Sequence, residues 1–92
     1  MGIKHFKHKG LKELYLEGSS SKIKPALQAN ALLILDLLAA ISDLRDLSGV
    51  KDFHPLKGDR KSTYSMHVNA NYCITFTWDG QDISHLNLED YH

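Results

Sequence analysis

Hydrophobic and polar residues follow two different periods along this 92-residue chain, a helical period in the first half and a strand period in the second. Residues 3–6 alternate apolar and polar, which predicts a short half-buried strand. From about Lys7 the period lengthens and predicts a helix of roughly three turns. Gly18, followed by three serines, is typical of the end of a helix. The apolar residues that would share one face of this helix are Leu11, Leu14 and Tyr15.

A second helix is predicted from near Pro25, a residue favoured in the first turn, to about Ile41. Its second half is apolar on nearly every face, which favours a place in the core and leaves apolar surface to cover the first helix or a partner. Its longest uninterrupted apolar run is five residues, far below the ~20 that a membrane span requires. Residues 42–50 then predict a short helical turn with Leu44 and Leu47 directed inward.

The second half of the chain alternates with the period of two that marks strands. Strands are predicted around residues 64–68 and over residues 72–78, and a third, less regular strand follows Gly80. Asp79-Gly80 predicts a tight hairpin turn because aspartate and glycine tolerate positive φ, and residues 69–71 offer a second connection. The apolar positions of these strands are Tyr64, Met66, Val68, Tyr72, Ile74, Phe76, Trp78, Ile83, Leu86 and Leu88.

These elements predict a single α+β domain over residues 1–92, with two N-terminal helices packed on a small antiparallel β-sheet. The apolar side of the sheet must face the helices. The opposite side would carry His67, Cys73 and Thr75, so we expect it to be more open and available to line a site.

Charge is unevenly distributed although the net charge is zero. Residues 1–24 carry six lysines against two glutamates, a net of +4, and residues 79–92 carry four carboxylates, a net of −4. Such asymmetry is typical of a surface that faces nucleic acid, but a solvated amphipathic helix would need the same lysines. The single cysteine excludes an intramolecular disulfide, and the basic N-terminus lacks the apolar core of a signal peptide. We therefore expect a cytoplasmic protein.

The densest reactive chemistry lies in residues 53–60, between the helical half and the strand half. Pro55 fixes φ and Gly58 permits positive φ, which predicts a shaped loop rather than part of a helix or strand. The loop brings together the imidazole of His54, the amine of Lys57 and the guanidinium of Arg60. Loops on a rigid scaffold often carry binding and catalytic groups, although a surface turn with incidental charges has the same composition.

Four short motifs stand in a fixed order along the chain. They are Ile-Lys-His-Phe-Lys-His-Lys-Gly-Leu-Lys at residues 3–12, His-Pro-Leu-Lys-Gly-Asp-Arg at 54–60, Val-Asn-Ala-Asn-Tyr-x-Ile-Thr-Phe at 68–76 and Glu-Asp-Tyr-His at 89–92. In this order and spacing they resemble the HigB toxins of the RelE/ParE superfamily of bacterial toxin–antitoxin systems, also called plasmid maintenance killer proteins. The resemblance spans the whole chain and is least specific in the second helix.

The resemblance implies an endoribonuclease that enters the ribosomal A site and cuts mRNA there without a metal or cofactor. It also implies a HigA-like helix-turn-helix antitoxin that neutralises the toxin. The residues that it associates with catalysis are Lys57, Tyr91, His54, Asp90 and His92. Residues that would form the footprint on ribosomal RNA are Lys7, Lys9, Lys12, Lys22, Lys24 and Arg60, and such phosphate contacts would be salt-dependent.

Metal-free RNA cleavage explains why these residue types would be needed. The substrate's 2′-hydroxyl attacks, so the site must take its proton, stabilise charge on the phosphate and protonate the leaving oxygen. A compact ammonium such as Lys57 suits the phosphate, and imidazole such as His54 suits acid–base work near neutral pH. The terminal residues 90–92 add a carboxylate, a ring able to stack on a base and a second imidazole.

Cys73 departs from the family pattern, in which an arginine usually stands at this strand position and binds the scissile phosphate. A thiol has no fixed positive charge and is a weak donor. The loss of one such donor typically costs about 10²–10³ in rate. We therefore expect a HigB-type fold with weakened or altered nuclease activity, unless Arg60 compensates.

Three other interpretations remain open. His5 and His8 are three residues apart, a spacing that supports only weak metal chelation. A nucleophilic Cys73 with His67 nearby lacks an orienting third group in the sequence. The serious alternative is a non-catalytic protein, either a degenerate toxin that binds antitoxin or a ParE-like inhibitor that docks on gyrase.

Overall fold

Two helices pack against a five-stranded sheet in the computed structural model, which describes residues 2–56 and 62–90. This arrangement confirms the predicted α+β fold. The strands are β1 (Gly2–Ile3), β2 (His54–Pro55), β3 (Thr63–His67), β4 (Tyr72–Trp78) and β5 (Asp82–Asp90). The helices are α1 (Lys9–Glu17) and α2 (Pro25–Ala40), followed by a 3₁₀ turn at Leu44–Leu47. The strand order across the sheet is β1-β5-β4-β3-β2.

Helix α1 is bounded by a capping interaction at each end. At its start, the Nδ1 atom of His8 accepts a hydrogen bond from the backbone N–H of Leu11 at 3.2 Å. Because His8 is extended and acts as the cap, the helix begins at Lys9, two residues later than expected. At its end, Gly18 has a φ of 83°, and its N–H donates to the carbonyl oxygen of Leu14 at 2.8 Å. The predicted end at Gly18 is confirmed.

Helix α2 is the core helix that the sequence predicts, and its bounds differ from the prediction by one residue. Its fully buried residues are Ala31, Ile34, Leu35 and Leu38. Leu44 and Leu47 of the 3₁₀ turn are also buried, as predicted. Leu33 remains 47% exposed, so part of the excess apolar surface is uncovered. None of the described helices has the length and apolar character to cross a membrane.

The edges of the sheet correct two predictions. Strand β1 contains only two residues and pairs in parallel with β5, through Ile3 opposite Ile83, so the sheet is mixed rather than purely antiparallel. Strand β2 lies within the segment that we expected to be a loop, and it pairs with β3 through His54 opposite Ser65. Proline lacks an N–H, which confines it to an edge strand such as β2. The alternation of apolar and polar residues within one segment reveals neither whether that segment pairs with another strand nor in which direction.

A β-bulge explains why the third strand lacks a regular period in the sequence. Thr75 pairs with Asn87 and Thr77 with Ser84, so two residues of β5 oppose one residue of β4. His85 has a φ of 55°, which places the irregularity at this residue. Ile83 and the residue three positions later, Leu86, are therefore both fully buried.

Both predicted hairpin connections are present. The Oδ1 atom of Asp79 accepts from the N–H groups of Gln81 and Asp82, and Gly80 has a φ of 95°. The Oδ1 atom of Asn69 accepts from the N–H groups of residues 71 and 72 in the same way. Side-chain acceptors of this kind replace backbone partners in tight turns.

The His8 cap generates a prediction about stability and pH. Burial lowers the pKa of His8, so the unfolded chain binds a proton at higher pH than the folded chain. Its contribution to the free energy of unfolding should be complete above the ordinary imidazole pKa of about 6.5 and lost as pH falls through the lower folded value. His8→Asn keeps a capping acceptor but cannot titrate, so it should reduce this loss.

Urea unfolding of both proteins between pH 7.5 and 5 would measure the effect. His8→Ala, which removes the cap at every pH, should cost about 1 kcal/mol. Identical pH dependence in wild type and His8→Asn would contradict the prediction.

Candidate active site

A pocket of about 210 Å³ opens on the face of the sheet that points away from the core residues Met66, Ile74 and Phe76. Its lining residues are His54, Leu56, Ser65, His67, Cys73, Thr75 and Glu89. As predicted, His67, Cys73 and Thr75 share this face of the sheet, and they line the pocket. The expectation of an open face holds only for the rim, because Cys73 and Thr75 are 6% and 3% exposed.

Stacked aromatic rings hold β2 at the edge of this pocket. Phe53 stacks on Tyr64 with ring centroids 5.5 Å apart and on Phe76 with centroids 6.3 Å apart. Because successive residues of a strand point to opposite faces, anchoring Phe53 on the core side directs His54 to the pocket side. Such offset aromatic packing stabilises beyond the area that it buries.

A tight turn before β2 places a carboxylate beside the pocket. The carbonyl oxygen of Val50 accepts from the N–H of Phe53 at 3.0 Å, and both central residues have positive φ, 51° at Lys51 and 55° at Asp52. Two positive φ values are the signature of a type I′ turn. Left-handed backbone costs non-glycine residues on the order of 1 kcal/mol each. The N–H of His67 donates to the carbonyl oxygen of Lys51 at 2.7 Å, which ties this turn to the end of β3.

The backbone of this turn fixes the tautomer of His54. The Nδ1 atom of His54 lies 2.7 Å from the carbonyl oxygen of Asp52. A carbonyl oxygen only accepts, so Nδ1 must carry the hydrogen and donate it. In the neutral ring the lone pair is then on Nε2. His54 is therefore arranged to accept a proton at Nε2.

The carboxylate of the turn bonds to a second imidazole. The Oδ2 atom of Asp52 lies 3.1 Å from Nε2 of His67 and 4.0 Å from Nδ1 of His54. The two imidazole rings meet edge to face, with centroids 6.2 Å apart. Two imidazoles and one carboxylate thus form a connected cluster on the pocket rim.

The floor of the pocket contains a short hydrogen bond. The hydroxyl of Thr75 donates to Oε2 of Glu89 at 2.5 Å. Cys73 lies between His67 on one neighbouring strand and Glu89 on the other, because the strand register pairs it with both. The position where the family pattern has arginine is therefore at the centre of the pocket floor.

A second pocket of about 340 Å³ adjoins the first and shares two of its residues, Thr75 and Glu89. It is lined at its other positions by Lys7, Thr63, Thr77, His85 and Asn87. The two pockets together form a groove across the sheet, which we call the sheet groove. Its two ends carry imidazole and ammonium groups, the groups that bind phosphates.

The predicted catalytic residues fall into three groups. His54 lies on the pocket rim. Asp90 follows Glu89 on β5, so it points to the opposite face, where it pairs with Tyr72. Lys57, Tyr91 and His92 lie outside the described residues, and their roles stay predictions.

The predicted RNA-binding lysines do not share one surface. Lys7 lines the sheet groove, whereas Lys9, Lys12 and Lys22 surround a separate depression on the α1 side, together with Glu13, Leu16 and Glu17. The ammonium of Lys22 is 3.0 Å from Glu13, and the hydrogen bond from Lys22 is the main cause that lowers the pKa of Glu13. Arg60 lies outside the described residues.

Lys24 is occupied by an intramolecular contact. Its ammonium donates to the hydroxyl of Tyr72 at 2.9 Å and lies 5.2 Å from the centroid of that ring. The bond to Tyr72 is the main cause that raises the pKa of Lys24, and the negative charge of Asp90 adds to it. An RNA phosphate would have to compete with these partners.

The side chains of His5 and His8, the pair considered for a weak metal site, make other contacts. Nδ1 of His8 accepts from the backbone of α1, and the ring of His5 packs edge to face on His85 with centroids 5.2 Å apart. In the described ranges, no three His, Cys, Asp or Glu side chains are grouped so as to hold a metal ion.

Two carboxylates at the pocket, those of Asp52 and Glu89, are not predicted from the sequence. Asp52 reaches the site only through an unusual turn, which composition does not reveal. Glu89 belongs to the terminal motif, but the bulge at His85 hides which face it occupies. With the bulge known, the period of two would have placed Glu89 in the pocket and Asp90 opposite.

Comparison of the fold with solved structures identifies its class. The chain is similar to the YoeB/ParE toxin from Agrobacterium tumefaciens, with a TM-score of 0.58 at 15% identity over 100% of both chains. It is also similar to a chain of the YoeB-YefM complex from Staphylococcus aureus, with a TM-score of 0.55 at 18% identity, over 100% of this chain and 99% of that one. The fold is that of the YoeB/ParE toxins.

Sequence comparison gives the family. Residues 4–92 match the HigB-like toxins, described as the RelE-like toxin of type II toxin-antitoxin system HigB. The chain is 43% identical over 94 residues to Endoribonuclease HigB of Proteus vulgaris, covering 98% of this chain and 99% of that protein. It is 36% identical over 77 residues to Toxin HigB-1 of Vibrio cholerae, covering 79% of this chain and 80% of that protein. This chain belongs to the HigB-like toxin family.

Proposed function

We propose that this HigB-like toxin is an endoribonuclease that cuts mRNA in the ribosomal A site, with the 2′-hydroxyl of the RNA as nucleophile and without a metal. Membership of the HigB-like family and the 43% identity to an endoribonuclease support the reaction class. The observation that carries the mechanism is His54, whose Nδ1–H is held by the Asp52 carbonyl at 2.7 Å, so that Nε2 accepts the proton.

The proposed reaction transfers two protons and exchanges two bonds to phosphorus. Nε2 of His54 takes the proton of the 2′-hydroxyl as the 2′-oxygen bonds to phosphorus. The bond to the 5′-oxygen breaks and that oxygen takes up a proton from a general acid, which leaves a 2′,3′-cyclic phosphate and a 5′-hydroxyl. The ammonium of Lys57 stabilises the charge that builds up on the phosphate, and a bound codon base stacks on Tyr91. His92 would complete the site from the chain terminus, whereas Asp90 lies on the opposite face of the sheet.

The sheet groove is the proposed track for the mRNA strand. Two adjoining pockets place imidazoles at one end and Lys7 at the other. A groove with cations along it binds the sugar-phosphate backbone independently of sequence. The lysines on the α1 side, together with Lys24 and Arg60, would meet ribosomal RNA. Because the ribosome supplies the substrate, the protein would act in the cytoplasm as a single domain over residues 1–92.

The proposed neutralising partner is a HigA-like helix-turn-helix antitoxin. Family membership supports an antitoxin partner, since the family belongs to type II toxin–antitoxin systems. The solved relative from Staphylococcus aureus is a YoeB-YefM complex.

The first test uses ribosomes programmed with a defined mRNA. The untagged chain should produce 5′ ends at the A-site codon, mapped by primer extension, and should leave the same mRNA intact when ribosomes are absent. Lys57→Ala should lower the single-turnover rate by about 10²–10³-fold because it removes the main phosphate charge. Lys4→Ala, which removes a lysine outside the groove, is the matched control.

The non-catalytic alternative makes different predictions in the same experiment. Intact mRNA at every enzyme concentration would refute the proposed function. A gyrase inhibitor would instead trap DNA breaks and leave translation running.

A second prediction concerns the thiol at the centre of the pocket floor. Cys73→Arg places a guanidinium between His67 and Glu89 and should raise the cleavage rate by up to about 10²-fold. Cys73→Gln, which adds volume without charge, should not raise it. Unchanged cleavage by a stably folded Cys73→Arg protein would show that a missing guanidinium does not limit the reaction.

A third prediction concerns the groove lysine. Lys7→Gln should reduce the slope of log affinity for ribosomes against log salt concentration by about 1, because one phosphate contact is lost. Lys4→Gln is the control for loss of the same charge elsewhere. Binding would be measured by filter retention at several KCl concentrations, and equal slopes for Lys7→Gln and wild type would contradict the assignment.

A further inference from the structure

One pair of groups at the pocket has no role in the proposed reaction, namely the imidazole of His67 and the carboxylate of Asp52. His67 ends β3 opposite Cys73, and its Nε2 atom is 3.1 Å from Oδ2 of Asp52. The side chain of His67 is 30% exposed and that of Asp52 is 66% exposed, so the cluster is open to a ligand. A contact between side chains with this exposure contributes little to folding stability.

The turn that supplies Asp52 supports a positional role. Lys51 and Asp52 adopt left-handed backbone in succession, a conformation that non-glycine residues rarely adopt. Strained backbone of this kind concentrates at functional sites. Here its effect is to bring a carboxylate to His67 and a carbonyl oxygen to His54 at the same time.

The proposed reaction also requires a general acid, and the described lining of the pocket contains a candidate for it. Once His54 takes the proton of the nucleophile, the leaving 5′-oxygen needs a donor near neutral pH. Among the described lining residues, Ser65 and Thr75 carry hydroxyls that are too weakly acidic, and Glu89 accepts the hydroxyl hydrogen of Thr75. The ring of His67 is 6.2 Å from that of His54, so one phosphate can contact both.

We propose that His67 is a further catalytic residue, the general acid that protonates the leaving 5′-oxygen, and that Asp52 is its positioning residue. This inference rests on the proposed ribonuclease function. In the proposed step, the imidazolium form of His67 has its Nε2–H held by the carboxylate of Asp52 and gives a proton from Nδ1 as the bond between phosphorus and the 5′-oxygen breaks. His54 gains one proton and His67 loses one, and exchange with water restores both.

The test replaces the leaving oxygen by sulfur. An mRNA with a single 5′-phosphorothiolate linkage at the A-site codon has a thiolate leaving group that needs no proton. On programmed ribosomes, His67→Gln should cut the ordinary mRNA about 10²-fold more slowly than wild type in a single turnover. It should cut the phosphorothiolate mRNA at nearly the wild-type rate. A residue that only shapes the pocket would slow both substrates equally.

Asp52 is tested on the same two substrates. Asp52→Asn and Asp52→Gly both tolerate positive φ, so the turn is preserved while the carboxylate is lost. Each should slow cleavage of the ordinary mRNA by about tenfold or more, with recovery on the phosphorothiolate mRNA. His5→Gln, a histidine outside the sheet groove, is the control, and thermal unfolding confirms that each variant folds.

The outcomes separate this inference from the proposed function. Wild type that cuts neither mRNA refutes the ribonuclease itself. Wild type that cuts both, with His67→Gln equally active or equally impaired on both substrates, refutes the role of His67 and leaves the ribonuclease standing.

Discussion

The structure depends on one hydrophobic core that buried residues of α2 share with those of the three central strands. Ile34, Leu35 and Leu38 of the helix are fully buried, and so are Ile74 and Phe76 of β4. Because side chains alternate along a strand, a shift of one residue in register would bring Cys73 and Thr75 into the core and expose the large apolar side chains. The requirement to bury the apolar face therefore fixes which polar residues form the pocket floor. The packing of the core therefore determines the geometry of the pocket.

The central part of this arrangement could be predicted from the sequence because it depends on local periodicity. Alternation along β3 and β4 identifies the pocket-facing residues without knowledge of the fold. Strand β2 could not be predicted in this way, since two residues have no measurable period and its pairing with β3 depends on a contact between distant parts of the chain. The position of Asp52 is still harder to predict from the sequence, because it depends on backbone angles that aspartate tolerates but does not require.

The terminal motif shows how one irregular residue limits inference from sequence. Glu89 and Asp90 are adjacent in the terminal motif, yet alternation along β5 places them on opposite faces of the sheet. Glu89 accepts a hydrogen bond on the pocket floor, while Asp90 contributes to the charge around Lys24 on the other face. The β-bulge at His85 determines which of these two residues faces the pocket. The terminal motif therefore indicates strand β5, but the register of that strand determines which face of the sheet each residue of the motif occupies.

The charges of the pocket raise the question of which of its groups would bind an RNA phosphate. Its described lining contains Glu89, with Asp52 beside it, and position 73 contributes a thiol, which carries no positive charge. Within that described lining, positive charge can come only from the two imidazoles, because Leu56, Ser65 and Thr75 carry none. An RNA phosphate brought to this surface would meet carboxylates first unless His54 and His67 are positioned against it. The contacts of Asp52 do position them: its carbonyl holds one ring and its carboxylate the other. In the proposed reaction, the turn at residues 50–53 is thus the element through which a pocket without a central guanidinium would bind an anion.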